Sequence, residues 1–114
     1  MSTKLATGLS ARTARAERAL RKAGVGEDKL RSVRALDQAS ASEALLANGH
    51  TALISYETCV AWRDAATGEV FATPRNYYSN TTQRSINRWC RNPAIMEESE
   101  LHSKLASKYS TNED

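Results

Sequence analysis

The feature that most constrains the fold is a change of hydrophobic period at His50. In the fifteen residues that begin there (HTALISYETCVAWRD), apolar and polar side chains alternate, as in a half-buried strand. Gly68 lies in a short loop before a second apolar run, Val70–Thr73, which a proline ends. The pattern predicts a two-stranded antiparallel hairpin over about 51–74. Because two strands alone are only marginally stable, helices must cover the hairpin or a homodimer must extend it.

The alternation also assigns the faces of the predicted first strand. One face is formed by Ala52, Ile54, Tyr56, Val60 and Trp62, and the other by Leu53, Ser55, Glu57 and Cys59.

The segment before the hairpin has a helical period. Residues 9–23 are rich in alanine and contain neither proline nor glycine, so they predict a first helix that ends at Gly24. Glu27 and Asp28 suit the start of a second helix, because acidic groups stabilise a helix N-terminus. Its apolar side would consist of Leu30, Val33 and Leu36. Ser40 and Glu43 match a capping box, so this helix is expected to break near 37 and to resume over 41–47.

Residues 80–91 predict a strongly amphipathic helix with a cap at Ser79 or Asn80. Its apolar side carries Thr82, Ile86, Trp89 and Cys90, and its opposite side carries Arg84, Asn87, Arg88 and Arg91. A last helix is expected over about 94–109, after Pro93, followed by a disordered tail at 110–114.

The fold class predicted from these segments is α+β. It is one domain over 1–110, divided into a helical part (1–48), a hairpin-plus-helix unit (49–92) and a C-terminal helix (93–109). The expected core residues are Ile54, Val60, Trp62, Val70, Ile86 and Trp89.

Charge is distributed unevenly along the chain. Residues 1–40 contain nine Lys/Arg and four Asp/Glu, residues 63–91 contain five Arg and two acids, and the C-terminal part is acidic. Two predicted helices therefore present cationic faces, which consist of Arg15, Arg18 and Lys22 and of Arg84, Asn87, Arg88 and Arg91. Arginine and asparagine bond bidentately to bases, and arginine and lysine neutralise phosphates. We therefore expect a binding protein that contacts nucleic acid or an acidic, nucleic-acid-containing host complex; a merely solvated face is the alternative.

Other functional classes have little support in the sequence. There is no glycine-rich phosphate loop, no GxSxG and no paired-carboxylate pattern, so we expect no enzyme and no cofactor. The residues His50, Cys59, Cys90 and His102 lack the spacing of a zinc site. A helix-turn-helix is rejected because the segment SEALLANG has one glutamate and no basic residue. The aromatics Tyr56, Trp62, Phe71, Tyr77 and Tyr78 suit base stacking, but core packing is favoured.

Location is predicted from the same composition. No apolar run is long enough to span a bilayer, and no signal-peptide block precedes the first helix. The two cysteines are then expected to be free thiols in the cytoplasm.

Two motifs resemble a known pattern. These are Ser55-Tyr56-x-Thr58-x-Val60-Ala61, and Tyr78-Ser79-x-Thr81-Thr82-x-x-x-Ile86-Asn87-x-Trp89, with Thr73-Pro74 between them. They are similar to small uncharacterised proteins of bacteriophages and mobile elements, in which a histidine usually precedes Ile-Asn; here that position is Ser85. The resemblance implies a phage-like origin, a host bacterial cytoplasm and a hairpin-plus-helix unit. It adds an alternative function, inhibition of a host defence or replication complex, and the arginines add another, capture of a nucleotide signal.

Overall fold

The computed structural model describes residues 7–36, 38–75 and 77–109, with side chains from Ala11 onward. The expected tail at 110–114 lies outside these residues. In chain order the elements are α1 (Thr7–Ala23), β1 (Leu30–Ala35), β2 (Ala41–Leu46), β3 (Thr51–Ser55), β4 (Thr58–Arg63), β5 (Val70–Ala72), α2 (Asn80–Trp89), β6 (Ala94–Ile95) and α3 (Glu98–Ala106).

The strands form one mixed sheet in the order β1-β2-β3-β4-β5-β6. Neighbours are antiparallel from β1 to β5, and β6 pairs in parallel with β5. The fold class is thus α+β, as predicted, but the sheet is three times as wide as the predicted hairpin. The reason for considering a homodimer as one alternative, a two-stranded sheet too small to be stable alone, no longer applies.

The predicted second helix and its continuation over 41–47 are wrong, because these segments are β1 and β2. The register between the two strands shifts between Leu30 and Ser32, so Arg31 is an extra residue. Such a bulge places Leu30 and Val33, three residues apart, on the same face, and both pack against the core beneath α1. A bulged strand therefore imitates the spacing of a helix.

The predicted first strand of the hairpin is two strands. A two-residue turn at Tyr56–Glu57 divides it into β3 and β4. A second register shift leaves Val60 without a partner between Cys59, which pairs with Ile54, and Ala61. The predicted faces are corrected accordingly: Ala52, Ile54, Cys59 and Trp62 share one face, and Leu53, Val60 and Ala61 share the other. The β4–β5 hairpin agrees with the prediction, and Gly68 has the expected positive φ of 78°.

The middle of the sheet is covered on both sides. On one side, α1 and α3 pack on a cluster that includes Leu20, Leu46, Ile54, Trp62, Phe71 and Leu101. On the other side, α2 packs on a cluster that includes Leu53, Val60, Ala61, Ala72, Ile86 and Cys90. Of the six predicted core residues, Ile54, Val60, Trp62 and Ile86 are buried, whereas Val70 and Trp89 are half-buried. We call these two sides the α1 side and the α2 side.

The C-terminal half matches the sequence in part. The predicted helix at 80–91 is α2, and the side chain of Ser79 caps it by accepting a hydrogen bond from the backbone N–H of Thr82. The last helix begins at Glu98 rather than at 94, because Ala94–Ile95 form β6 and the N–H of Met96 bonds to the carbonyl of Ala72.

Candidate functional site

The two predicted basic faces lie on opposite sides of the sheet. Arg15, Arg18 and Lys22 belong to α1, and Arg84, Asn87, Arg88 and Arg91 belong to α2 and the turn that follows it. Arg15 comes closest to joining them, since it borders a shallow depression that it shares with Thr81 at the start of α2. The seven residues therefore do not form one continuous surface.

On the α1 side, the basic side chains are held by neighbouring groups. Arg18 pairs with Glu57 at 3.1 Å, and Lys22 donates to the hydroxyl of Thr58 at 3.0 Å. Arg15 donates to the backbone carbonyl of Ala39 at 3.3 Å. Arg21, which was not among the predicted site residues, pairs with Glu27 at 2.8 Å. The partners of Arg15, Arg18 and Lys22 lie in or beside the β1–β2 and β3–β4 turns of the sheet, so this set has a structural explanation.

On the α2 side, Arg84 and Arg91 differ from the basic residues of α1 in their ion pairing. Arg84 and Arg91 are exposed, and no acidic side chain in the described part of the chain forms an ion pair with either of them. Asn87 is also exposed and accepts a hydrogen bond from the amide of Gln83 at 3.0 Å. Arg88 lies on the flank of α2 that borders a groove. At Arg84 and Arg91, this side therefore presents cationic groups that form no ion pair within the described part of the chain.

A first groove of about 390 Å³ runs between α2 and the strands β1 and β2. At its floor, one carboxylate oxygen of Glu43, Oε1, accepts hydrogen bonds from Arg34 Nη2 at 2.8 Å and from Trp89 Nε1 at 2.9 Å. The guanidinium of Arg63 lies over the Trp89 ring, 4.7 Å from its centroid, in cation–π geometry. The other lining residues are Leu36, Gln38, Ala41, Ser85 and Arg88.

Arg34, Glu43 and Arg63 were not among the predicted site residues. They come from three strands, β1, β2 and β4, which the successive pairing of β1 with β2, β2 with β3 and β3 with β4 brings together. The signal that would have found them is the cross-strand pair Arg34–Glu43, which becomes visible only when the segment before His50 is interpreted as a hairpin.

A second groove follows the opposite flank of α2, with a volume of about 470 Å³. Arg75, Asn87 and Arg91 line it. The hydroxyl of Thr73, at the same groove, is buried and has no hydrogen-bond partner among the described residues. The basic side of α2 is thus a ridge with a groove on each flank.

The cysteine and histidine side chains do not form a reactive pair. Burial raises the pKa of the Cys59 thiol to about 12, and His102 Nε2 lies 2.8 Å from the backbone oxygen of Cys59 rather than from its sulfur. Within 7–36, 38–75 and 77–109, no group of three or more His, Cys, Asp or Glu side chains could hold a metal ion.

The aromatic residues divide between core and surface. Trp62 and Phe71 are buried, as expected, while Tyr56 and Tyr77 are exposed by 54% and 46%. The phenol of Tyr78 donates to Glu98, and burial together with this carboxylate raises the pKa of Tyr78. A common stacking platform is therefore absent among these described aromatics, because Tyr77 and Tyr78 contact each other edge to face and Trp62 packs on Phe71 in the core.

A family of unknown function, DUF8033, matches residues 29–105. The chain belongs to this family. The matched range begins just before β1 and includes the lining residues of both grooves, whereas α1 precedes it. No curated protein and no solved structure matches the chain. The bacteriophage origin stays a prediction.

Among the described residues, no helix is long and apolar enough to cross a membrane.

Proposed function

We propose that this member of DUF8033 is a small non-enzymatic binding protein that contacts nucleic acid with its α2 side. The observation that carries the proposal is the charge imbalance of this side. Glu43 is the one acidic residue among the described residues that line the two grooves. The arginines on the ridge and in the grooves are Arg34, Arg63, Arg75, Arg84, Arg88 and Arg91.

The geometry of the ridge supports contact with phosphates. The ten residues of α2 extend about 15 Å, and arginines stand on the helix and on both of its flanks. A phosphodiester backbone that crosses the ridge would meet several guanidinium groups at once, and each contact releases condensed counterions. Asn87 and Arg84, exposed on the helix, have the donors and acceptors that base edges require.

The test is a charge reversal with a matched control. Arg84→Glu combined with Arg91→Glu changes two exposed residues on the α2 side. Arg18→Glu combined with Arg21→Glu gives the same net charge on the α1 side and breaks only exposed ion pairs, each worth at most about 1 kcal/mol. Fluorescence anisotropy with labelled duplex DNA, single-stranded DNA and RNA should show loss of binding for the first pair alone. Equal losses in both pairs would mean that net charge, not this side, is responsible.

A second candidate, docking on a host protein complex, is favoured by one observation. Ile95 is exposed by 56% and borders the second groove beside Arg75 and Arg91. Exposed apolar groups next to arginines are typical of protein interfaces. A pull-down from bacterial lysate with and without nuclease separates the candidates: a partner that remains after nuclease treatment supports protein docking, as an inhibitor of a defence or replication complex would require.

A further inference from the structure

We propose that the first groove binds a single nucleotide, with the phosphate on Arg34 and Arg63 and the base against Glu43 and Trp89. The inference rests on the proposed function for its choice of a phosphate ligand, and it assigns that ligand to a defined pocket. The nucleotide could be free or one unit of a single strand, since both present the same chemistry. The volume of about 390 Å³ falls within the range of roughly 300–1,000 Å³ that is usual for small-molecule sites.

The phosphate would be held by guanidinium groups that the fold positions but does not saturate. The Arg34 side chain is 69% exposed, and its described side-chain hydrogen bond uses only Nη2. Arg63 rests one face of its guanidinium on Trp89, so its N–H groups point outward in the plane of the group. Within the described part of the chain, no hydrogen bond from the Arg63 guanidinium to another side chain occupies these N–H groups. Planar forks of this kind match phosphate oxygens bidentately.

The base would be recognised by Glu43. Its side chain is 19% exposed, and both hydrogen bonds described for it end at Oε1. In the described part of the chain, Oε2 therefore remains as an acceptor at the floor of the groove. Oε2 can accept from an N–H donor on a base edge, and guanine offers two such donors side by side, N1–H and N2–H₂. Leu36 and Trp89 add apolar surface to the same groove.

The binding test measures the affinity of the full chain for GMP, AMP, CMP, UMP and guanosine by isothermal titration calorimetry. GMP should bind best, and guanosine, which lacks the phosphate, should bind more weakly. Arg34→Ala and Arg63→Ala should each weaken GMP binding by about tenfold or more, the loss expected for a charge-assisted hydrogen bond. Glu43→Gln should reduce the preference for GMP over AMP. Arg31→Ala is the control, because Arg31 is exposed on the same strand outside the groove.

A second measurement keeps the inference testable if a variant is unstable or a mononucleotide binds too weakly. Circular dichroism establishes that each variant is folded, and a labelled single-stranded oligonucleotide of roughly twelve nucleotides replaces GMP. Loss of oligonucleotide binding in folded Arg34→Ala and Arg63→Ala, with Arg31→Ala unaffected, supports a nucleotide held within a strand. If wild-type protein does not bind GMP, and these two variants bind the oligonucleotide normally, the groove assignment is wrong. Loss of oligonucleotide binding in R84E/R91E would support the proposed function even if the groove assignment is wrong. Failure of the wild-type protein to bind any oligonucleotide would contradict the proposed function itself.

Discussion

The indole N–H of Trp89 donates to the carboxylate of Glu43, 46 residues earlier in the chain, at 2.9 Å. This bond joins α2 to β2, and both of its residues line the first groove. Trp89 is half-buried, since it packs against the second core cluster and also lines the groove. Trp89 therefore belongs to the candidate site as well as to the core.

The two tryptophans are expected to differ in their contribution to stability. Trp62 is fully buried and donates to the carbonyl of Leu101 at 3.2 Å, so Trp62→Ala should lower the free energy of unfolding by ~3–5 kcal/mol. Trp89→Ala should cost less, about 2–3 kcal/mol, since part of its ring is already hydrated. Urea denaturation followed by circular dichroism measures both. A larger loss at Trp89 than at Trp62 would contradict the description of the two cores.

The sequence identified α2 because amphipathicity is a local property. Ile86 and Arg84 fall on opposite sides of a 3.6-residue helix whatever surrounds it, and the structure places them there. The first groove could not be predicted in the same way. It depends on the pairing of Arg34 with Glu43, which was obscured when the bulge at Arg31 gave β1 the spacing of a helix.

The side of the sheet to which each residue of β3 and β4 points could not be predicted from the sequence either. A single unpaired residue, Val60, reverses the side to which the residues around it point, so strict alternation assigned Val60 and Trp62 to the same side. Bulges and turns of this kind are selected by long-range pairing, which local periodicity does not report.

The turn between β3 and β4 predicts a stabilising substitution. Tyr56 has a φ of 57°, in the left-handed region that is unfavourable for residues other than glycine. Its ring is exposed. Tyr56→Gly should therefore raise the free energy of unfolding by up to about 1 kcal/mol, and thermal denaturation measures the change. Glu57→Gly is the control and should destabilise, because Glu57 has no positive φ and loses its pair with Arg18. A lower melting temperature for Tyr56→Gly would point to a role for the ring in the fold.

Asp64 should make stability depend on pH in the acid range. A hydrogen bond from Lys108, followed by backbone N–H donors from Ala66 and Thr67, lowers the pKa of this carboxyl. Because the pKa is lower in the folded state, its contribution is fully present above the unfolded value, about 4, and is lost as the pH falls through the folded value. Asp64→Asn should flatten the pH dependence of the melting temperature below about pH 4. An unchanged profile would mean that other carboxyls dominate.

The two cysteines should be unreactive in the folded protein. Burial raises the pKa of Cys59 to about 12 and also raises that of Cys90. A thiol pKa that is higher in the folded state stabilises the fold fully below the unfolded value, near 8.5, and this contribution is lost as the pH rises toward 12. At pH 8 a thiol-specific reagent should label both residues only after addition of denaturant. Rapid labelling of Cys59 in native protein would contradict the burial described here.

The central claim is that the α2 side, rather than overall charge, binds nucleic acid, and one measurement tests it most directly. The affinity of R84E/R91E for a labelled oligonucleotide is compared with that of R18E/R21E over a range of salt concentrations. We expect R84E/R91E to lose binding and R18E/R21E to keep it. The wild-type logarithmic affinity should fall with the logarithm of the salt concentration, with a slope of about one per phosphate contact. A folded R84E/R91E protein that binds as tightly as wild type would contradict the account.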